Sequence, residues 1–165
     1  VPISEFHQIF RSKNSILIAF HQQMDTEVFS NVATASSNET VRDQLFELLM
    51  LRFDVLTRQK MAITKIIYNT ISRNPIASFI GLKNSQASMG MTLESAGVST
   101  EGLLGQLKVN GLLAVYLSTF CTWLKDDTPD LTRTMAELDK GLARAEEVLC
   151  SLPFKTFKNH NPKLN

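Results

Sequence analysis

The stretch that decides how this chain is read is its first seventeen residues, Val1-Pro2-Ile3-Ser4-Glu5-Phe6-His7-Gln8-Ile9-Phe10-Arg11-Ser12-Lys13-Asn14-Ser15-Ile16-Leu17. Pro2 suits a first helical turn, where its missing N–H is no loss. Ile3, Phe6 and Phe10 then share one face at i, i+3 and i+7, which turns Ser4, Glu5, His7 and Gln8 outward. Ser12 is placed to cap a second helix whose apolar stripe is Ile16, Leu17, Phe20, Met24 and Val28. A polar-faced helix of two turns pinned to a longer one has the shape of a DNA-reading element.

The remaining chain also reads as helices. The second helix runs to about Val32 and ends in the small, polar segment Ala33 to Ser37. Ser36 and Glu39 have capping-box spacing for the next helix, whose core-facing stripe is Val41, Leu45, Leu48, Leu49, Arg52, Phe53 and Leu56. An apolar segment from Met61 to Ile71 is cut by Asn74-Pro75, which opens a helix reaching about Ser95. After the turn Ala96 to Thr100, an almost uncharged helix extends to Leu124. Asp126-Asp127-Thr128-Pro129-Asp130 stops it and starts the last helix, with Asp127 or Thr128 as cap and Pro129 near the first turn. Leu131, Met135, Leu138, Leu142, Ala145 and Leu149 then recur at heptad spacing. No alternating stretch is long enough for a strand. The expectation is an all-α protein.

Composition narrows the classes further. With 44% hydrophobic and 20% charged residues among 165, the chain has the balance of an ordinary globular domain and not of a disordered segment. A net charge of +1 does not by itself mark nucleic-acid binding. The most apolar run, Gly111 to Leu124, falls short of the roughly 20 residues a membrane span needs, so no stable membrane insertion is expected. Cys121 and Cys150 fall near opposite ends of the last helix pair, beyond disulfide reach, which fits reduced thiols and a cytoplasmic location.

Candidate sites follow from the same patterns. The three histidines, His7, His21 and His160, have no metal-ligand spacing, and the aspartates around Asp126 are explained by helix capping. Gly102-x-x-Gly105 follows no strand, and no phosphate loop exists. The chain is therefore read as a non-enzyme without cofactor or metal. The penultimate helix is apolar around most of its circumference, which calls for a partner: the expected homodimer interface is Leu112, Tyr116, Phe120, Trp123, Leu131, Met135, Leu138 and Leu142, two hairpins forming a four-helix bundle. Met50, Phe53, Met61, Ile66, Phe79, Met89 and Met91 either line an apolar ligand pocket or are plain core.

Val1 to Leu17 resembles the back half of the helix-turn-helix of TetR-family transcriptional regulators, whose pattern Val-Ser-x-x-x-Leu-Tyr-x-x-Phe-x-Ser-Lys-x-x-Leu-Leu lies on it without gaps. The resemblance implies a TetR-like helical domain with an incomplete N-terminal helix-turn-helix, about three helical segments preceding Val1 in the natural protein. It implies DNA contacts from Pro2, Ser4, Glu5, His7, Gln8, Ser12 and Lys13, with His7 standing where the family has a phosphate-contacting Tyr and Glu5 adding a negative charge to the reading face. It also implies an effector site in the helical core and a dimer built from the last two helices. The division expected is residues 1–32 for the DNA-reading remnant and connecting helix, 33–150 for ligand binding and dimerisation, and 151–165 as a flexible tail. The function this implies is a DNA-binding regulator, in the repressor mould, acting on a double-stranded operator under a small apolar or lipid-like effector.

A second resemblance covers the last third. Tyr116, Trp123 to Asp130 and Thr134 look like the TetR-like accessory protein of ubiquinone biosynthesis, which implies a non-enzymatic lipid- or isoprenoid-binding role as the alternative.

Overall fold

A computed structural model describes residues 13–30, 40–71 and 75–151; the remaining residues, and the side chains of 13–17, 69–71 and 77, lie outside the described residues. It contains six helices and, among the described residues, no strand: α1 (Lys13–Ser30), α2 (Val41–Thr57), α3 (Lys60–Ile71), α4 (Pro75–Ser95), α5 (Gly102–Trp123) and α6 (Thr132–Ser151). The α5–α6 hairpin is the most extensive packing unit. Helix α2 lies against α6, α1 bridges α2 and α4, and α4 connects α5 with α3.

The stripe read on α2 forms the middle of the core. Leu45, Leu48, Leu49, Arg52, Phe53 and Leu56 are buried together with Val55, whereas Val41 at the helix start is exposed. Ser36 and Glu39, the expected capping box, lie outside the described residues. The cap observed is Thr40, whose hydroxyl oxygen accepts from the Asp43 N–H at 3.2 Å and donates to the Asp43 carboxylate at 2.6 Å. On α1, Met24 and Val28 are buried as their spacing predicts.

Aromatic rings connect α2 to α5. Phe53 stacks on Tyr116 at 5.6 Å between ring centroids and meets Trp123 at 6.2 Å, and Phe120 meets Trp123 at 5.2 Å. Trp123 is fully buried, and its indole N–H donates to the Thr57 hydroxyl at 2.9 Å, so the ring loses no hydrogen bond on burial. Glycine lets the hairpin close: a Cβ at Gly141 would stand 2.8 Å from a Val115 methyl.

The α5–α6 connection departs from the sequence expectation. The last helix does not begin near Pro129: α6 starts at Thr132, whose N–H donates to the Thr128 hydroxyl at 3.0 Å, and the buried Asp126 carboxylate organises the whole loop. Its Oδ1 accepts from the Thr128 N–H (3.1 Å) and hydroxyl (2.6 Å), its Oδ2 from the Thr134 N–H (2.9 Å) and hydroxyl (2.8 Å). Lys60 of α3 donates to the Asp126 carbonyl and sits 5.5 Å above the Trp123 ring. Leu131 adopts a left-handed φ of 49°, a conformation an L residue tolerates only when its surroundings hold it; here the side chain is buried. The seam of α6 shifts accordingly. Leu131, Leu138 and Leu142 face inward as read, but Thr134 takes the inner position expected for Met135, which is 40% exposed along with Leu149.

Burial alone would raise the Asp126 pKa, yet the hydrogen bonds from Thr128 and Thr134 outweigh it and hold the carboxyl well below the usual carboxylate range. A depressed folded-state pKa contributes stability that is complete above about pH 4 and is lost as the pH falls through the folded value. Asp126→Ala is expected to lower unfolding free energy by about 2–3 kcal/mol in urea titrations at pH 7. For Asp126→Asn the deficit relative to wild type narrows as the pH is lowered below about 4; a deficit constant with pH would contradict the carboxylate's role.

Candidate functional site

Arg52 has a problem that its position on α2 creates. Seven residues of α2 are buried, and an arginine among them carries its charge inside, where an unpaired ion is costly. Arg52 is 1% exposed. Its guanidinium donates to the Asp25 carboxylate of α1 and to the Ser88 hydroxyl of α4, and Ser88 in turn donates to Asp25. On the other side it lies 5.7 Å from the centre of the Tyr116 ring of α5. One cation therefore ties α1, α2, α4 and α5 at a single point.

The surroundings of this cluster are polar and incompletely paired. Arg52 Nε, His21 Nδ1 and Asn84 Nδ2 are buried without a hydrogen-bond partner among the described residues. Burial, followed by the charge of Arg52, pushes the His21 pKa down, so the imidazole is neutral at pH 7. Burial pushes the Tyr116 phenol up, with Arg52 opposing it. His21 is one helical turn before Asp25 on α1, and Asn84 one turn before Ser88 on α4. The arrangement suits positional coupling between α1 and the core: a shift of α4 at Ser88 changes what α1 is held by.

The sequence-derived residues distribute unevenly. Pro2, Ser4, Glu5, His7, Gln8 and Ser12 lie outside the described residues; Lys13 opens α1, but its side chain is not described. Of the pocket set, Phe53 and Met89 are fully buried in the core and Met50 packs against it, whereas Met61, Ile66, Phe79 and Met91 are exposed. The structure does not gather these seven around one chamber. Helical spacing could not show this: among the described side chains of α3, Ile63 is buried and Ile67 packs against the core, while Met61 and Ile66 face out.

The expected interface residues are likewise used inside the chain. Leu112, Tyr116, Trp123, Leu131, Leu138 and Leu142 are buried in the monomer core, Phe120 packs against it, and only Met135 is exposed. The physical reason is that α4 against α5 and α2 against α6 already cover this side of the hairpin. What α5 leaves open is the stripe Leu103, Leu107, Asn110, Ala114, Leu117 and Cys121, all exposed and recurring at 4-3-4-3-4 spacing. Leu103 is 87% exposed. Cys121 and Cys150 are free and exposed. Asp25 and Ser88 were not singled out from sequence. The available signal was Arg52 itself, since an arginine on a buried stripe requires a counter-ion from a neighbouring element.

Among the described residues no three His, Cys, Asp or Glu side chains converge to hold a metal, and no helix is long and apolar enough to cross a membrane. No protein-family model matches the chain, and no curated protein matches it. Among solved structures, the chain is similar to the TetR transcriptional regulator from Nitrosomonas europaea ATCC 19718, with a TM-score of 0.72, 18% identity, and coverage of 89% of this chain and 80% of that one. At that identity the likeness concerns the fold: the chain has a TetR-like helical fold.

Removing Arg52 strands Asp25 beside an apolar core. Arg52→Ala is expected to cost about 3–5 kcal/mol in urea unfolding, part of which Asp25→Asn restores in the double variant. A strictly additive pair would show that the two side chains do not communicate.

Proposed function

We propose that the chain is the core of a homodimeric, DNA-binding transcriptional regulator of the TetR kind, without enzymatic activity, controlled by a small apolar effector. The observation that carries this reading is the Asp25–Arg52–Ser88 cluster. It fastens α1 to the effector-proximal helices α2 and α4, and α1 is the helix that directly follows the segment resembling a recognition helix. The likeness in fold to a TetR transcriptional regulator supports the same reading.

In this mechanism Ser4, His7 and Gln8 face the DNA major groove or its backbone, Pro2 starts the reading helix, and Ser12 and Lys13 hold a phosphate at the start of α1. Glu5 is tolerated where it accepts from a cytosine amino group. An effector entering beside Phe53 and Met89 shifts α4 relative to α2, which alters the Ser88 and Asp25 contacts of Arg52 and re-aims α1. In a two-fold dimer this changes the spacing of the reading helices, which fit half-sites about one DNA turn apart only in the unliganded state. The release is a population shift whose size equals the effector's preference for the DNA-incompetent form.

The dimer in this proposal uses the open stripe of α5 beside Met135, with Leu103, Leu107 and Leu117 at its centre. Leu107→Asp with Leu117→Asp is expected to give a stably folded monomer by sedimentation velocity, because both side chains are exposed within one chain; an unchanged dimer would place the interface elsewhere.

Fluorescence anisotropy of the protein on DNA upstream of its own gene tests the function. Binding is expected to weaken steeply with salt, and Lys13→Ala is expected to reduce the slope of log K against log salt by about one unit. Absence of salt-sensitive binding at low ionic strength removes the regulator reading and favours the lipid-binding accessory role.

A further inference from the structure

Residues 60 to 93 contain no Asp or Glu, in a chain that has 16 of them, but do contain Lys60, Lys65, Arg73 and Lys83. This interval is α3, the link to α4, and most of α4. It also carries much of the large apolar exposure of the molecule: Met61 is 77% exposed, Tyr68 67%, Ile76 67% and Phe79 59%, with Leu82 also exposed. Met61, Lys65 and Tyr68 fall on one face of α3 at i, i+4 and i+7, and Ile76, Phe79 and Lys83 on one face of α4 at i, i+3 and i+7. The two helices pack against each other, so the faces belong to neighbouring elements. Lys83 stands 5.9 Å above the Phe79 ring, its charge at the apolar edge.

We propose that the outer face of α3 and the N-terminal half of α4 docks on an anionic lipid surface. Bulky aliphatic and aromatic side chains beside the exposed Lys83, on two helices that carry no Asp or Glu between residues 60 and 93, match the requirements of interfacial binding: apolar groups enter the headgroup boundary while the cation meets the surface charge. A second copy of the chain does not fit the same face. A two-fold contact sets a surface against itself, which here brings Lys83 against a like-charged face with no Asp or Glu between residues 60 and 93 to offset it. Lys60 is not counted in the docking face, because it donates to the Asp126 carbonyl and lies 3.6 Å from the Asp127 carboxylate. The inference does not depend on DNA binding.

The test is flotation of the full chain with vesicles of phosphatidylcholine alone and with vesicles in which half the lipid is phosphatidylglycerol. The expected result is association with the anionic vesicles only, weakened by raising salt. Lys83→Glu and Phe79→Ser each reduce the association at least about fivefold. Both side chains are exposed, and thermal unfolding followed by circular dichroism is expected to remain that of wild type. Absence of binding to the anionic vesicles overturns the proposal. So does binding that survives both substitutions, which places the contact on another part of the chain. Capture of the protein by polyglutamate at the same residues, without vesicle binding, reassigns the face to an acidic protein partner; an oligomer dissociated by Phe79→Ser reassigns it to self-association.

Discussion

A buried guanidinium cannot be left unpaired, and that constraint organises the structure around Arg52. Its position on α2 is fixed by helical periodicity, with Leu48, Leu49, Phe53 and Leu56 beside it on the buried face. Water is excluded there, so the compensation must come from other helices: Asp25 from α1, Ser88 from α4, and the face of Tyr116 from α5. Apolar contacts are non-directional and would permit α1 to slide along α2. The directional hydrogen bonds at Arg52 give that interface a register. Such a pair adds little net stability over well-packed apolar residues, but its loss on one side is costly. It is a device for position more than for strength.

The far end of the hairpin follows a different logic. Asp126 lies under the loop between α5 and α6, and its two oxygens receive four donors from Thr128 and Thr134. With Lys60 on its carbonyl and Trp123 bonded to Thr57, the loop is secured to both α2 and α3. The two polar centres divide the labour. The Asp126 loop holds the hairpin that the core is built on, and Arg52 holds the helix that leads away from it. Surface pairs such as Arg42–Asp139, at 2.6 Å between half-exposed or exposed side chains, contribute little beside them.

The two uncovered apolar faces differ in chemistry, and this separates their roles. The α5 stripe is nearly uncharged and keeps heptad spacing, the pattern of a helix packed on another helix. The α3–α4 face is built from a stretch, residues 60–93, that holds lysines and no Asp or Glu, and it turns large apolar side chains to solvent. Between them α4 has one edge on the core through Ser88, Met89 and Thr92 and another on the outer face through Phe79 and Leu82. A molecule arriving at the outer face and a displacement felt at Arg52 thus involve the same helix.

Local rules made most of the architecture legible in the sequence. The six helices fall where 3.6-residue periodicity, Pro75 and the turn at Gly97 place them, because these signals act within a turn or two of chain. The inward faces of α1 and α2, and Leu131, Leu138 and Leu142 on α6, are visible for the same reason. What could not be read is which of two apolar faces a neighbour covers. Leu112, Tyr116 and Trp123 look as available for a partner as Leu103, Leu107 and Leu117; the presence of α2 and α4 against the hairpin decides between them. The pocket set failed to converge for a related reason, since Met61 and Phe79 share periodicity with core residues but lie on the outward faces of their helices. The Asp126 cradle reaches Thr134 eight positions on, and the hydrogen bonds of the Arg52 cluster join residues 27 to 63 positions apart. Sequence alone determined the helices and their apolar stripes, because those depend on near neighbours. The pairing of buried polar groups and the choice of covered face were decided by tertiary structure, because each depends on what another helix brings to the same place.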